Sequence, residues 1–225
     1  MQFLAVPAHE PLDISLDTTR SVNKNWSHQI MCYRPSLILL LSFLAVVVIG
    51  AGCAWVPQSA QLKVAPTVAP SDQGRGLTIA VEVLDRRKSQ TIGRRGVDSE
   101  LAAITTKQNL SVLIRDALIA GYAKKGFNAI PHEGDPGRVL TVELRKLDYT
   151  TDMDFWKGIV MTEAILNAST MRDGVRFEQT YTGRRKETTI DAPGDKTNER
   201  LLSEAMTEAV KSLIEDPHLL RFVTE

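Results

Sequence analysis

Residues 157–185 read KGIVMTEAILNASTMRDGVRFEQTYTGRR, and this stretch decides the fold because it encodes two strands joined by a tight turn. Apolar and polar residues alternate on both sides of Asp173-Gly174, a dipeptide that accepts the positive φ angles of a two-residue hairpin. Strict alternation indicates a strand that buries one face only. The stretch therefore predicts an antiparallel hairpin, with strands at Lys157–Met171 and Val175–Arg185, that has one apolar and one polar face.

The same patterns extend in both directions from the hairpin. Alternating strands are predicted at Val139–Leu147 and from Leu77. Apolar residues at helical spacing follow Asn109, which is predicted to cap a helix that starts at Leu110, and also follow Thr197. Pro217 is expected to end the second helix. The order is β-α-β-β-β-α, and elements with one apolar face bury it most simply in two layers. We predict an α+β two-layer sandwich, with a mostly antiparallel four-stranded sheet and two helices packed on one face, leaving the other face open to water or a partner.

A polar segment of about 20 residues follows the first strand, and such long loops are usually functional or mobile. Its guanidinium groups are suited to bidentate recognition of carboxylate or phosphate, as found on lipid head groups and peptide ends. The alternative is structural: Asp85 pairs with one of these arginines, and Gly93 permits a tight bend. The candidate ligand- or partner-binding residues are Asp85, Arg86, Arg87, Gly93, Arg94 and Arg95.

An aromatic pair and a basic run each have a structural and a functional interpretation. Phe155 and Trp156 lie between two predicted strands and serve either as a core plug or as an anchor for a partner. The basic run at residues 184–186 is interpreted as a solvated strand end that limits edge pairing. His132 and His218 are far apart in the sequence, without a neighbouring cysteine, so no metal site is expected. No residues are patterned as a nucleophile with its base, so we expect no catalytic activity.

The N-terminal region is typical of a targeting signal rather than of a folded domain. Leu37–Ile49 is almost wholly apolar, follows Arg34, and leads through small residues to Cys53. This is the pattern of a bacterial lipoprotein signal, in which the chain is cut before the cysteine. Cys53 would then carry a covalent diacylglycerol and an N-acyl chain, with no other cofactor expected. The alternative is an uncleaved membrane helix of about 20 residues, because Gly50 stands where such signals prefer Leu, Val or Ile.

These observations divide the chain into four parts. Met31 supplies a start of ordinary signal length, so residues 1–30 are interpreted as a non-native extension and residues 31–52 as the signal peptide. Residues 53–76 are rich in proline and small residues, which predicts a lipidated tether. Residues 77–225 form the predicted periplasmic α+β domain. An alanine rather than an aspartate follows the cysteine, which predicts lipid anchoring in the outer membrane with the domain facing the periplasm.

Several short motifs, taken in order, carry a resemblance to a known family. They are Cys53 with its proline-containing tether, Val83-Leu84-Asp85-Arg86-Arg87, Ile92-Gly93-Arg94-Arg95, the helix end at Gly126-Phe127, and the Asp-Gly hairpin. In this order and spacing the chain resembles the YajG-type lipoproteins of Gram-negative bacteria. That family is largely uncharacterised, so the resemblance implies location and architecture far more than activity.

The charge balance restricts the classes of partner. The chain has 27 basic and 27 acidic residues, and a neutral domain has no gross electrostatic attraction for nucleic acid. We expect contact with the membrane through the lipid and with an envelope protein, as a non-catalytic accessory module of an outer-membrane-associated complex. The alternative is a ligand-binding lipoprotein for an anionic envelope component, a lipid head group or a muropeptide. An envelope hydrolase is a third and less favoured reading, and the sequence predicts no oligomeric state.

Overall fold

A computed structural model of the chain describes residues 56–97, 100–134, 137–153, 157–190 and 193–225. These residues belong to one compact unit of the chain. The predictions made for the signal peptide, for lipidation of Cys53, and for Phe155 and Trp156 lie outside the described residues.

The described residues form eight strands and three helices. They are β1 (Gln58–Ser59), β2 (Thr78–Asp85), β3 (Gly93–Val97), β4 (Glu100–Thr105), α1 (Leu110–Lys124), β5 (Asn128–Pro131), β6 (Val139–Met153), β7 (Gly158–Arg172), β8 (Val175–Thr189), α2 (Asp195–Ile214) and α3 (Pro217–Thr224).

A single mixed sheet is organised around the long strand β6. On one edge, β6 pairs antiparallel with β7 along its length, and β8 follows beyond β7. On the other edge, the first part of β6 pairs in parallel with β2, and β3 meets it in parallel through Gly93 and Tyr149. β5 lies outside β2, while β4 and β1 lie outside β3.

The α+β class is confirmed, but the predicted four-stranded, mostly antiparallel sheet is wrong. The sheet of the described residues has eight strands and is mixed, because four of its strand pairs are parallel. Alternation along a strand shows which face is buried but contains no information on the direction of its neighbour. In addition, the polar segment predicted as a loop contains β3 and β4. β3 has one apolar side chain besides its glycines, and the apolar residues of β4, at positions 101–104, are consecutive and do not alternate.

The predicted hairpin and the antiparallel arrangement of the last three strands agree with the structure. β7 and β8 are joined at Asp173-Gly174, whose φ angles are 48° and 78°, and Arg172 pairs with Val175. The register is continuous over all 15 residues of each strand. β8 continues four residues past its predicted end at Arg185, whereas β7 has its predicted length and is displaced by one residue towards the turn.

The helices cover one face of the sheet. α1 packs on β2 and β5, and α2 packs on β7 and β8. The side-chain oxygen of Asn109 accepts a hydrogen bond from the backbone N–H of Val112, which caps α1 as predicted. Pro217 does end α2, but it also begins the unpredicted helix α3, because proline is well tolerated in the first turn. None of the helices in the described ranges is both long enough and apolar enough to cross a membrane.

The described part of the predicted tether is integrated into the domain. Ala60, Leu62 and Val68 are buried in the hydrophobic core. The side-chain amide of Gln108 bonds both the backbone N–H and the carbonyl of Leu62, at 2.6 and 3.1 Å. Gln58 pairs with β4, whereas residues 61–64 have no strand pairing. The small and apolar residues of this segment therefore fill the core instead of forming a free linker.

Candidate functional site

The first predicted site residues form a closed local pair at the end of β2. The guanidinium of Arg87 donates through Nε to Oδ1 of Asp85 at 2.9 Å and through Nη2 to Oδ2 at 2.8 Å. Burial raises the pKa of Asp85, but the hydrogen bonds and charge of Arg87 outweigh it and hold the pKa below its usual value. The fork of Arg87 is thus occupied by a carboxylate two residues away.

The other three arginines of the segment are separated by the sheet. Arg86 lies 3.9 Å from a carboxylate oxygen of Glu143. Arg94 is exposed, while the side chain of Arg95 is only 8% exposed and bonds the carboxylate of Asp195 at the start of α2. Because neighbouring residues of a strand point to opposite faces, Arg94 and Arg95 cannot serve one ligand. The structure does not bring the predicted arginine cluster together.

Gly93 lies where β3 approaches β6 closely. A Cβ atom built on it would lie 2.2 Å from the carbonyl oxygen of Tyr149, which is far inside ordinary contact distance. Glycine at this position therefore permits the β3–β6 pairing. Gly93 thus has a structural role, but as the point where two strands approach closely and not as the tight bend that the sequence predicted.

A different site lies on the face of β6, β7 and β8 that points away from the helices, called the open face below. Side chains of β7 alternate between the two faces, so Thr162 is buried beneath α2 whereas Met161 and Glu163 lie on the open face. A groove of about 460 Å³ occupies the end of this face near the β6–β7 connection. Its lining residues are Lys146, Asp148, Thr150, Met161, Thr162, Glu163, Arg184, Arg185 and Lys186.

Glu163 is the electrostatic centre of the groove. Nζ of Lys146 donates to one carboxylate oxygen at 2.8 Å, and Nε of Arg184 donates to the other at 2.6 Å. The hydrogen bond from Lys146 is the main cause that lowers the pKa of Glu163, and the same bond raises the pKa of Lys146. Lys146 also lies 3.4 Å from Asp148. Cross-strand charge pairs of this kind fix side-chain positions across three strands.

An apolar strip borders these charges. The side chain of Met161 is 44% exposed and lies opposite Lys186 in the strand register, while Ile159 and Ile165 are half-buried on the same face. Three cations of the open face, Lys146, Arg184 and Lys186, accompany two carboxylates in the groove. The groove can therefore hold an extended segment that places apolar atoms on methionine and a carboxylate near the cations.

The sequence contained a signal for part of this groove. Counting from the Asp173-Gly174 turn places Glu163 opposite Arg184, as observed. The run at residues 184–186 was instead interpreted as a solvated strand end, but β8 continues beyond it, and Arg185 turns to the helix side to pair with Glu204 and Glu208 of α2. The position of Lys146 could not be counted, because the β6–β7 register shifts by one residue between Leu144 and Lys146.

In the described ranges, no three His, Cys, Asp or Glu side chains are placed to hold a metal ion together.

Comparison with known proteins identifies a family. The sequence model of a family described as uncharacterized lipoprotein matches residues 65–224. No curated protein matches the chain.

Three solved structures are similar to the chain at low identity. The first is a protein from Helicobacter pylori described as a homolog of neuraminyllactose-binding hemagglutinin, with 8% identity, coverage of 74% of this chain and 96% of that one, and a TM-score of 0.44. The hypothetical protein CT253 from Chlamydia trachomatis has 10% identity, coverage of 66% and 98%, and a TM-score of 0.37. Lipoprotein GNA1162 from Neisseria meningitidis has 13% identity, coverage of 49% and 84%, and a TM-score of 0.27. At these scores no function is transferred.

Proposed function

The chain belongs to this family of uncharacterised lipoproteins, and we propose that it is a lipid-anchored, non-catalytic periplasmic module that docks on an outer-membrane-associated complex through its open face. The groove around Glu163 is the observation that carries this proposal, since it combines an exposed apolar strip with fixed charges on a rigid three-stranded support. Interaction surfaces commonly have this combination of apolar contact area and polar groups that determine orientation.

The packing of the N-terminal segment defines the reach of the proposed anchor. Gln58 is the first residue of β1, and it follows Cys53 by five positions in the sequence. A fully extended chain spans at most about 3.6 Å per residue, so a lipid on Cys53 would hold β1 within about 18 Å of the membrane. The domain would then act on partners close to the membrane surface rather than far into the periplasm.

Mass spectrometry of the N-terminus of the protein purified from membranes tests the anchor. The expected species begins at Cys53 and carries a diacylglyceryl group and an N-acyl chain. A protein that retains residues 37–52 and carries no lipid on Cys53 would refute lipidation and support the uncleaved helix.

Site-specific photocrosslinking in intact cells tests the docking surface. A photoreactive residue at Met161, which is 44% exposed on the open face, should capture an envelope protein. The matched control is Val112, which is 38% exposed on α1, and it should capture little. The substitution Lys186→Glu should weaken the capture at Met161. Equal yields of crosslinked envelope protein at positions 161 and 112 would contradict docking through the open face. The absence of any crosslinked protein at position 161, with several different photoreactive groups, would contradict it as well.

A second candidate function is binding of an anionic envelope component, which the surplus of cations in the groove favours. The site would then be Lys146, Arg184 and Lys186 rather than the separated arginines of the β2–β3 segment. Phosphatidylglycerol vesicles are a suitable probe in a sedimentation assay. Lys186→Glu should reduce vesicle binding several-fold, whereas Lys63→Glu, at an exposed position outside the groove, should reduce it less. Equal losses in both variants would indicate only a general charge effect.

A further inference from the structure

β8 is a long edge strand. Within the described residues its 15 residues pair with β7 on one side only. The tight turn makes Arg172 and Val175 a hydrogen-bonded pair, so odd-numbered residues of β8 direct their backbone groups towards β7. Even-numbered residues, from Arg176 to Thr188, direct theirs away from the sheet.

One point of this edge is closed by side chains. The backbone N–H of Arg184 donates to a carboxylate oxygen of Glu208 at 3.1 Å. The carbonyl of Arg184 accepts a hydrogen bond from Nη1 of Arg185 at 2.8 Å. Both outward-facing backbone groups of Arg184 are thereby satisfied, and no further strand can use them without breaking these bonds.

The run from Arg176 to Thr182 lacks this protection. Arg176, Glu178 and Thr180 are exposed, and so is Gln179 on the other face. Within the described part of the chain, the outward N–H and C=O groups of the even-numbered residues in this run have no hydrogen-bond partner. The run contains no proline or bulge, which commonly prevent pairing at an edge, and its two charged side chains, Arg176 and Glu178, lie 3.1 Å apart and offset each other.

We propose that the run Arg176–Thr182 is a strand-pairing site that takes the same run of a second copy of this chain. The two runs pair antiparallel about a two-fold axis, with Gln179 opposite the same residue of the second copy. Arg176 then lies opposite Thr182, and Glu178 lies opposite Thr180. Four outward residues on each copy exchange about eight backbone hydrogen bonds. The sheet becomes continuous across both copies, with both open faces on the same side.

Charge selects this register and favours a second copy as the occupant. In the chosen register no like charges lie directly opposite each other, a condition that stabilises a strand pair. If one strand is shifted by two residues in one direction, Glu178 lies opposite Glu178 of the second copy. If it is shifted in the other direction, Arg176 lies opposite Arg184, whose outward backbone groups are already bonded. Within each copy, Glu178 already lies 3.1 Å from Arg176 and accepts a hydrogen bond from Asn167 at 2.8 Å, so the approaching strands present no unpaired charge.

A cysteine at the two-fold position tests both pairing and register. Gln179→Cys in the full-length chain, solubilised in detergent and mildly oxidised, should form a disulfide-linked dimer whose bridge is located by mass spectrometry. Opposed residues of this non-hydrogen-bonded pair have the short Cβ separation that a disulfide needs. Thr188→Cys is the matched control, because it is exposed on the same edge but lies beyond the proposed pairing. The unaltered chain, with Cys32 and Cys53, provides the background.

Sedimentation equilibrium provides the second measurement. Thr180→Pro removes one outward N–H without removing a bond to β7, a position at which an edge strand tolerates proline. The dimer fraction should fall about tenfold while circular dichroism remains that of the folded protein. If the proline variant does not fold, the comparison of the two cysteine variants decides. Equal crosslinking at positions 179 and 188, a monomeric unaltered chain at about 100 µM, or a folded Thr180→Pro variant with undiminished association would each overturn the proposal.

Discussion

Replacing Gly183 by alanine should destabilise the protein through the contact between β8 and α2. A Cβ atom on Gly183 would lie 1.9 Å from the carbonyl oxygen of Ala205 and 2.7 Å from the backbone nitrogen of Ala209. Ordinary contacts of such an atom begin at about 3.4 Å. The helix and strand would therefore have to separate locally by about 1.5 Å, because the obstructing atoms are backbone and cannot rotate away.

The expected loss follows from the packing around this contact. Ala205, Met206 and Ala209 are completely buried, so a separation of α2 from β8 opens the core. Adding a methyl group to a well-packed core typically costs about 1–3 kcal/mol, and the backbone clash places Gly183→Ala near the upper limit. Lower entropy of the unfolded chain offsets about 0.4–1 kcal/mol. A net loss of about 2 kcal/mol should lower the melting temperature by roughly 4–8 °C.

Urea unfolding followed by circular dichroism measures this loss. The control is Gly194→Ala, because a Cβ on Gly194 meets nothing within 4 Å and its φ is −73°. Gly194 is the N-cap of α2, where alanine is less favourable than glycine by about 1 kcal/mol, and the entropy gain of about 0.4–1 kcal/mol offsets most of this cost. The control should remain within about 0.5 kcal/mol of the unaltered protein. If Gly183→Ala is as stable as the control, the inferred close approach of β8 and α2 is incorrect.

Two further predictions concern buried and open-face polar groups. Asn198→Ala should lower the free energy of unfolding by about 2–3 kcal/mol in urea titrations. The substitution removes the hydrogen bonds of Asn198 to the buried hydroxyl of Tyr149, at 2.8 Å, and to the side-chain oxygen of Gln58, at 2.9 Å. A loss below about 0.5 kcal/mol would show that water replaces these bonds. The pKa of Glu163 is lowered below 4.5 mainly by the hydrogen bond from Lys146. The ionised carboxylate therefore stabilises the protein above pH 4.5, and this stabilisation is lost as the pH falls through the lowered pKa. The urea midpoint should fall less between pH 7 and pH 3 in Glu163→Gln than in the unaltered chain, and parallel pH profiles would contradict this.

Local signals predicted those parts of the fold that depend on neighbouring residues. The hairpin at Asp173-Gly174 and the cap at Asn109 agree with the structure because turn and cap preferences act within a few residues. β3 was missed because its sequence, Gly-Arg-Arg-Gly-Val, has neither β-branched residues nor apolar alternation except at Val97. Its strand conformation depends on pairing with β4 and on the close approach of Gly93 to β6, which are contacts made only in the folded protein.

The difference between local and long-range contacts also explains which parts of the candidate sites the sequence predicted. The pair Asp85–Arg87 is local, and the structural interpretation had included it. The groove is non-local, since Glu163 is bonded by residues 17 and 21 positions away in the sequence. The position of Arg184 opposite Glu163 follows from the register of the hairpin. The position of Lys146 depends on a bulge in β6 that has no reliable sequence signal, so the sequence could predict the contact of Glu163 with Arg184 but not its contact with Lys146.

Arg184 connects the groove with the edge of β8. Its side chain bonds Glu163 inside the groove, and its backbone groups face the edge, where Glu208 and Arg185 cover them. A strand added at this point would have to displace both covering side chains, so the cover at Arg184 disfavours pairing at the groove end of β8 while the hairpin end remains open. Glu208→Ala should therefore admit the shift that places Arg176 opposite Arg184, in which Gln179 no longer lies opposite itself, so disulfide formation by Gln179→Cys should decrease in that background.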